Sequence, residues 1–142
     1  KLSMSKQSLF QKLGISAVAA GAMLVAGCAS LEPAKPEEIV AKRAQAFWDA
    51  RAKGQVDKAY ALTTPAYRKV HTLEQFKKQY GSTFEIKGIN IVKVTCEVEK
   101  CTARAKIDVT PALMGINVGT IATHMDEIWL LEDGQWWRFQ EL

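Results

Sequence analysis

The nine residues CTARAKIDV, from Cys101 to Val109, decide the fold class of this 142-residue chain. Their side chains alternate between small or apolar types and polar types, which is the period of a strand with one face buried and one in water. The face expected toward the core carries Cys101, Ala103, Ala105, Ile107 and Val109, and the face expected toward water carries Thr102, Arg104, Lys106 and Asp108. The stretch therefore predicts a sheet that is covered on one side.

The segment before this strand predicts its hairpin partner. Residues 86–96 are rich in Ile and Val, and the four residues 97–100 fit a hairpin loop. Cys96 and Cys101 flank that loop, and residues opposite one another in a ladder have Cα atoms about 4.5–5.5 Å apart, within disulfide range. A disulfide is expected, with two buried thiols as the alternative. Zinc is disfavoured because the chain lacks a second ligand pair at metal spacing.

Two further strands complete the predicted sheet. One spans about residues 120–131, and the other spans residues 136–140. The turn between them contains Asp133-Gly134, which is a hairpin signal. Consecutive hairpins give a four-stranded antiparallel meander, and its long strands should twist and curve around whatever packs against them.

The first half of the domain carries helical patterns. Pro36 and the two glutamates after it favour a helix start, and apolar residues at helical spacing extend the helix to about residue 53. Thr72 and Gln75 form the capping-box pattern of another helix start. Shorter helical segments are expected at residues 56–62, at a single turn through 66–69, and at residues 73–80. The fold class is therefore α+β, with three N-terminal helices packed on a curved four-stranded antiparallel sheet.

Four segments of the chain resemble the nuclear-transport-factor-2-like (NTF2-like) superfamily, the cystatin-like α+β cone, in its small bacterial lipoprotein branch. They are AFWDARAKG at 46–54, AYALTTPAYRK at 59–69, TLEQFKKQYG at 72–81 and DGQWWRF at 133–139. The resemblance implies a bent sheet around a long helix, with an apolar pocket at the mouth of the cone. It implies no single activity, because some members are isomerases, dehydratases or hydrolases, while many only bind ligands or dimerise through the sheet.

The N-terminus is expected to be a cleaved signal peptide, residues 1–27. A basic segment without acidic residues precedes an apolar run of about 13 residues, which is shorter than the roughly 20 that a transmembrane helix needs. The run ends in Val25-Ala26-Gly27-Cys28, which resembles the lipobox of bacterial lipoproteins. The resemblance implies that Cys28 is acylated, and Ala29 after it favours the periplasmic face of the outer membrane. A plain secreted protein and an uncleaved anchor are the alternatives.

Removal of the signal peptide changes the charge of the chain. Three of the 19 basic residues and none of the 15 acidic ones lie in residues 1–27, so the formal net charge falls from +4 to +1. A nucleic-acid partner is not expected, because such proteins carry a basic patch. Residues 28–36 form a lipidated tether that reaches about 30 Å when extended. Residues 37–142 form a single α+β cone domain.

Candidate site residues are few. His124 and Asp126 are weak catalytic candidates, because alternate residues of a strand share a face and the carboxylate could orient the imidazole. The alternative is an exposed polar pair. Adjacent Trp136 and Trp137 must point to opposite faces, so one of them is expected to be exposed or covered by a partner. The full set of candidate pocket or interface aromatics is Trp48, Tyr60, Tyr67, Phe76, Trp129, Trp136 and Trp137.

Two functions are consistent with this sequence. The favoured one is a non-catalytic envelope lipoprotein that binds a protein partner, a second copy of itself or a small apolar ligand near the membrane. The alternative is a pocket enzyme of the isomerase or hydrolase type. No cofactor and no metal are expected, since the sequence contains no matching motif.

Overall fold

The computed structural model describes residues 33–80, 84–111, 116 and 118–141. The expected signal peptide, Cys28 and most of the expected tether lie outside these residues. In the described part, no helix has both the length and the apolar character needed to cross a bilayer.

Four helices come first in the described chain: α1 Pro36–Ala52, α2 Val56–Ala61, α3 Pro65–Val70 and α4 Leu73–Gln79. The long helix α1 begins at a proline, carries Glu37 and Glu38 in its first turn, and buries one apolar stripe. These are the features that favoured its start in the sequence. Gly54 follows the helix with φ of +69°, a conformation that glycine adopts without strain, and it turns the chain into α2.

The described residues contain one helix more than the three that the sequence predicts. Residues 65–70 form a full helix, α3, where only a helical turn is expected. Thr64 caps its start, because the hydroxyl oxygen accepts a hydrogen bond from the backbone N–H of Tyr67 at 3.3 Å, and Pro65 occupies the first helical position. The capping box of α4 is confirmed, with Gln75 and Thr72 each bonding the other's backbone N–H.

The sheet contains four antiparallel strands in sequence order: β1 Phe84–Cys96, β2 Lys100–Pro111, β3 Ile121–Glu132 and β4 Gln135–Arg138. Strand β2 has the predicted alternation, with Cys101, Ala103 and Ala105 fully buried. The turn before β4 has positive φ at both Asp133 and Gly134, as an Asp-Gly hairpin requires. The predicted α+β fold with a curled four-stranded sheet is therefore confirmed.

The core lies between α1 and the inward face of the sheet. Val40, Ala44, Phe47 and Trp48 of α1 are buried in one cluster with the inward residues of β2 and β3. The alanines of β2 are small, which leaves room for the large aromatic side chains of α1 within this cluster. Cys96 and Cys101 are paired across the β1–β2 ladder and joined by a disulfide, with a Cα–Cα distance of 4.0 Å.

One edge of the sheet is partly covered by the chain itself, and the other edge is interrupted by bulges. At the outer edge of β4, the backbone N–H of Arg138 donates to Leu62 O at 2.8 Å, and the N–H of Thr64 donates to Arg138 O at 3.1 Å. Strand β1, at the other edge, is interrupted by two register shifts, between Ile86 and Gly88 and between Ile91 and Lys93. Such bulges bend a strand and increase its twist.

Candidate functional site

The catalytic candidates from the sequence, His124 and Asp126, lie on the exposed face of β3. His124 is opposite Lys106 in the ladder, and Asp126 is opposite Arg104, whose Nε is 3.8 Å from the carboxylate. They occupy the face that points away from Glu127 and Trp129, which are buried. The structure therefore places this pair in the solvent-facing arrangement that was the alternative interpretation.

Most of the candidate interface aromatics belong to the core. Trp48, Tyr67, Phe76 and Trp129 are at most 1% exposed, and Trp136 is 4% exposed. Tyr60 is half-buried, and its hydroxyl donates to the backbone O of His71 at 2.6 Å. These side chains hold the helices on the sheet and do not form an exposed binding surface.

Trp137 is on the opposite face of β4 from Trp136, as the alternation requires. It is half-buried, because the guanidinium carbons of Arg43 and Arg68 lie 5.1 Å and 4.8 Å from its ring centre. Trp137 is therefore partly covered by two arginines of the chain itself and keeps part of its surface exposed. That a partner covers the rest stays a prediction.

A cavity of about 340 Å³ opens where the end of α1, the start of α2, the end of α4 and the start of β1 meet. Its walls are largely apolar or aromatic, and Arg51 is the single cation among them in the described part of the chain. The lining residues are Arg51, Ala52, Gly54, Val56, Tyr80, Phe84, Glu85 and Ile86. This cavity, called the Arg51 cavity below, is the candidate functional site.

Arg51 lies among three aromatic rings. Its guanidinium carbon is 4.7 Å from the ring centre of Tyr80, 5.0 Å from that of Trp48 and 6.0 Å from that of Phe84. Such contacts are favourable, because the face of an aromatic ring attracts a cation. Burial lowers the pKa of Arg51 below its usual value, but a guanidinium remains charged at neutral pH.

No carboxylate among the described residues forms an ion pair with Arg51. Glu85, the acidic residue of the cavity lining, pairs instead with Lys87 at 2.7 Å, and both side chains are largely exposed. The cavity therefore contains a partly desolvated positive charge whose described neighbours are aromatic rings.

A second arginine, Arg138, lies deeper in the core and is neutralised. Its Nε donates to Glu127 Oε1 at 2.7 Å, in an ion pair whose two side chains are 9% and 1% exposed. Its guanidinium carbon is 4.3 Å from the ring centre of Phe47, and its Nη1 donates to Gln140 Oε1. The other carboxylate oxygen of Glu127 is buried without a hydrogen-bond partner in the described structure.

The Glu127–Arg138 pair does not compensate Arg51. Arg138 lowers the pKa of Arg51 and Glu127 raises it, both as smaller effects than burial, so the two charges of the pair oppose one another at Arg51. The positive charge of Arg51 is therefore left without a counter-ion by the described residues.

The sequence contains a signal for the buried pair in the alternation of two adjacent strands. Alternation along β3 and β4 places Glu127 on the inward face with Trp129, and Arg138 on the inward face with Trp136. Opposite charges at inward positions of adjacent strands indicate a buried ion pair. The sequence signal for Arg51 is weaker. Arg51 is four residues after Phe47, so the two side chains share the inward side of α1.

The described residues do not include a cluster of three or more histidine, cysteine or acidic side chains that could hold a metal ion. The ionisable groups of the Arg51 cavity are Arg51 itself, Tyr80 and the exposed Glu85. This arrangement is suited to holding a negative charge against aromatic surface.

The architecture of sheet and helices is that of the NTF2-like fold, as comparison with solved structures shows. A Campylobacter jejuni protein provisionally named an NTF2-like transpeptidase matches with a TM-score of 0.52 and 10% identity, over 76% of this chain and 100% of that one. A Thiobacillus denitrificans protein provisionally named a calcium/calmodulin-dependent protein kinase type II association domain matches with a TM-score of 0.52 and 12% identity, over 75% of this chain and 93% of that one.

A SEC-C motif containing protein from Psychrobacter arcticus is also similar in structure. It matches with a TM-score of 0.58 and 11% identity over 75% of this chain, which spans 62% of that protein's length. No protein-family model and no curated protein sequence matches the chain. At these identities the likeness concerns the fold alone.

Proposed function

We propose that this protein is a non-catalytic lipoprotein of the cell envelope, anchored through acylated Cys28, whose NTF2-like domain binds a small ligand in the Arg51 cavity. The observation that carries the binding proposal is the cavity itself, about 340 Å³ in volume and walled largely by apolar and aromatic groups. Ligand sites are typically concave and apolar with a few placed polar groups, and this cavity has that composition.

The same cavity favours binding over catalysis. Arg51 keeps its proton at physiological pH, so it can attract a charge but does not act as an acid or base. Glu85 is exposed and already paired with Lys87. A pocket enzyme of the isomerase or hydrolase type, the alternative, needs a group that transfers a proton next to the bound substrate, and Tyr80 is the remaining candidate in the described lining. The pair His124 and Asp126 lies on the exposed face of β3 and does not line the cavity.

The binding proposal is tested by native mass spectrometry of the full lipoprotein, extracted from the membranes of its own host in mild detergent. An Ala52→Trp variant places a large side chain in the cavity lining. Ala66→Trp is the matched control, because Ala66 is also an exposed helical alanine but is not part of the lining. A bound small molecule is expected in the wild type and the control and should be lost from Ala52→Trp.

Each other result of that experiment opposes cavity binding. A wild-type protein that carries no small molecule contradicts the proposal. A ligand that survives in Ala52→Trp binds elsewhere on the protein. A mass that corresponds to a second copy or another protein, without a small molecule, would indicate that the domain binds a protein partner instead.

The anchor is tested separately by metabolic labelling with a palmitate analogue. Wild-type protein is expected to take up the label and to fractionate with the outer membrane, because the lipobox resemblance implies acylation of Cys28. Cys28→Ser should abolish both properties, while the double variant Cys96→Ser/Cys101→Ser should retain the label. Equal labelling of Cys28→Ser and the wild type would contradict the lipid anchor.

A further inference from the structure

The unpaired charge of Arg51 says more about the ligand than the shape of the cavity does. Partial burial of a cation, as at the half-buried Arg51, is unfavourable unless a counter-ion or hydrogen bonds compensate for the water that is lost. Aromatic rings supply part of that compensation, but a ring face offers no directed acceptor for the five N–H donors of a guanidinium. Among the described residues, Arg51 has three ring contacts and neither an ion pair nor a side-chain hydrogen bond.

We infer that the Arg51 cavity takes a compact monocarboxylate, whose carboxylate pairs with the Arg51 guanidinium and whose apolar body packs against Tyr80 and Phe84. This inference rests on the proposed function, because it assigns a ligand class to the same cavity. A planar guanidinium binds a carboxylate through two parallel N–H···O bonds, and such charge-assisted pairs are stronger than neutral hydrogen bonds.

The charge of the lining sets the charge of the ligand. Arg51 is the single cation among the lining residues in the described part, and Glu85 of the same lining is paired with Lys87. A dianion, such as a dicarboxylate or a phosphate ester, would have one negative charge without a partner in the lining. One unit of negative charge therefore fits better than two.

The volume sets the size of the ligand. About 340 Å³ lies near the lower end of the roughly 300–1,000 Å³ that is typical of small-molecule pockets. This space favours a compact ligand, such as a carboxylate with a short aliphatic chain or one aromatic ring. Tyr80 and Phe84 provide flat surfaces against which such a body can pack.

The test compares isosteric pairs of probes that differ in charge: phenylacetate with phenylacetamide, and hexanoate with hexanamide. Adipate serves as the dianionic counterpart of hexanoate. Isothermal titration calorimetry on the full-length lipoprotein in detergent measures the affinity for each probe. In the wild type, at least one carboxylate is expected to bind about tenfold or more tighter than its amide, as a hydrogen bond to a charged group requires.

Variants of two arginines locate the effect. Arg51→Gln should remove the preference for carboxylate over amide, and Arg51→Lys should retain part of it because the charge remains but the fork geometry is lost. Arg43→Gln is the matched control. Arg43 is likewise a partly desolvated arginine against an indole ring, but it does not line the cavity.

The outcomes separate this inference from the proposed function. Equal binding of carboxylate and amide, or a carboxylate preference that survives Arg51→Gln, overturns the carboxylate assignment and leaves cavity binding intact. Adipate binding as tightly as hexanoate overturns the assignment of a single charge. Failure of every carboxylate to bind also overturns the inference, whereas the proposed function stands or falls with the native mass spectra of wild type and Ala52→Trp.

Discussion

Arg51 and Arg138 both pack on aromatic rings of α1, but Arg138 is buried beside a carboxylate, whereas Arg51 is half-buried and lines a cavity. Each guanidinium packs on an aromatic ring of α1, Trp48 for Arg51 and Phe47 for Arg138, and these two rings touch edge-on with centres 5.5 Å apart. Arg138 has a buried carboxylate at 2.7 Å, and Arg51 has none in the described structure. Arg138 is therefore held by a buried ion pair, whereas Arg51 has ring contacts and no ion pair among the described residues.

The largest effect is expected for Arg138→Met. The substitution leaves Glu127 as a buried charge without a partner, and breaking a buried ion pair in this way costs about 3–5 kcal/mol. Urea denaturation at neutral pH measures the loss. Arg104→Met is the control, because its ion pair with Asp126 at 3.8 Å is exposed, and exposed pairs contribute under about 1 kcal/mol. Similar losses for both variants would contradict a structural role for Arg138.

The next effect is the coupling between Arg138 and Glu127. In the double variant Arg138→Met/Glu127→Leu no charge is left unpaired, and apolar replacement of a buried pair is often neutral or stabilising. We therefore expect the double variant to recover most of the stability that Arg138→Met loses, so that the two single effects fail to add by about 2 kcal/mol or more. A full double-mutant cycle, with urea denaturation of each variant, measures the coupling free energy between Arg138 and Glu127. Additive effects of the two substitutions would refute the coupling.

A much smaller effect on stability is expected for Arg51→Met. The variant loses the ring contacts of the guanidinium, but it also removes the cost of holding a charge away from water. The free energy of unfolding, measured in the absence of ligand, should change by less than about 1 kcal/mol, as is usual for positions outside a buried network. A loss as large as that of Arg138→Met would show that Arg51 is structural too, and the distinction between the two arginines would not hold.

The smallest expected effect is a change in how the stability of the fold depends on pH under alkaline conditions. Burial raises the pKa of Tyr67, and nearby Tyr80 and Tyr60 raise it further. The folded state thus holds the Tyr67 proton more tightly than the unfolded state does. Its contribution to stability is complete below about pH 10, the ordinary tyrosine value, and is lost as the pH rises toward the higher folded value.

The variant Tyr67→Phe should therefore lose stability less steeply than the wild type as the pH rises above about 10. Thermal unfolding at a series of alkaline pH values measures both slopes. Tyr60→Phe is the comparison, because Tyr60 is only half-buried. Equal slopes for the wild type and Tyr67→Phe would mean that water reaches the Tyr67 hydroxyl, and that the region around Arg138 is less dry than its ion pair implies.

Much of the fold followed from local patterns in the sequence. The alternation from Cys101 to Val109, the Asp133-Gly134 turn and the capping box at Thr72 each specify backbone geometry through neighbouring residues alone, and all three are present in the structure. The helix α3 was underestimated, because six residues give too short a window for periodicity and Thr64 was not recognised as its cap.

The site was less predictable, because it depends on which residues meet across elements. The acid–base pattern on β3 pointed to His124 and Asp126, whereas the buried acid is the next residue, Glu127, on the other face. Aromatic composition alone did not distinguish core from surface, so Trp48 and Trp129 were counted as possible binding residues. Arg51 gains its significance from rings contributed by two other segments, Tyr80 and Phe84, which no local pattern connects to it.

The two sheet edges affect whether a strand of another molecule can pair with this sheet. A regular open edge offers a row of free N–H and C=O groups that can pair with a strand of a second molecule. The outer edge of β4 is instead paired with the chain at Leu62–Thr64, and β1 is bent by bulges on either side of Ile89. Pairing at Arg138 on one edge and the two bulges on the other each make the addition of a strand from a second molecule less favourable.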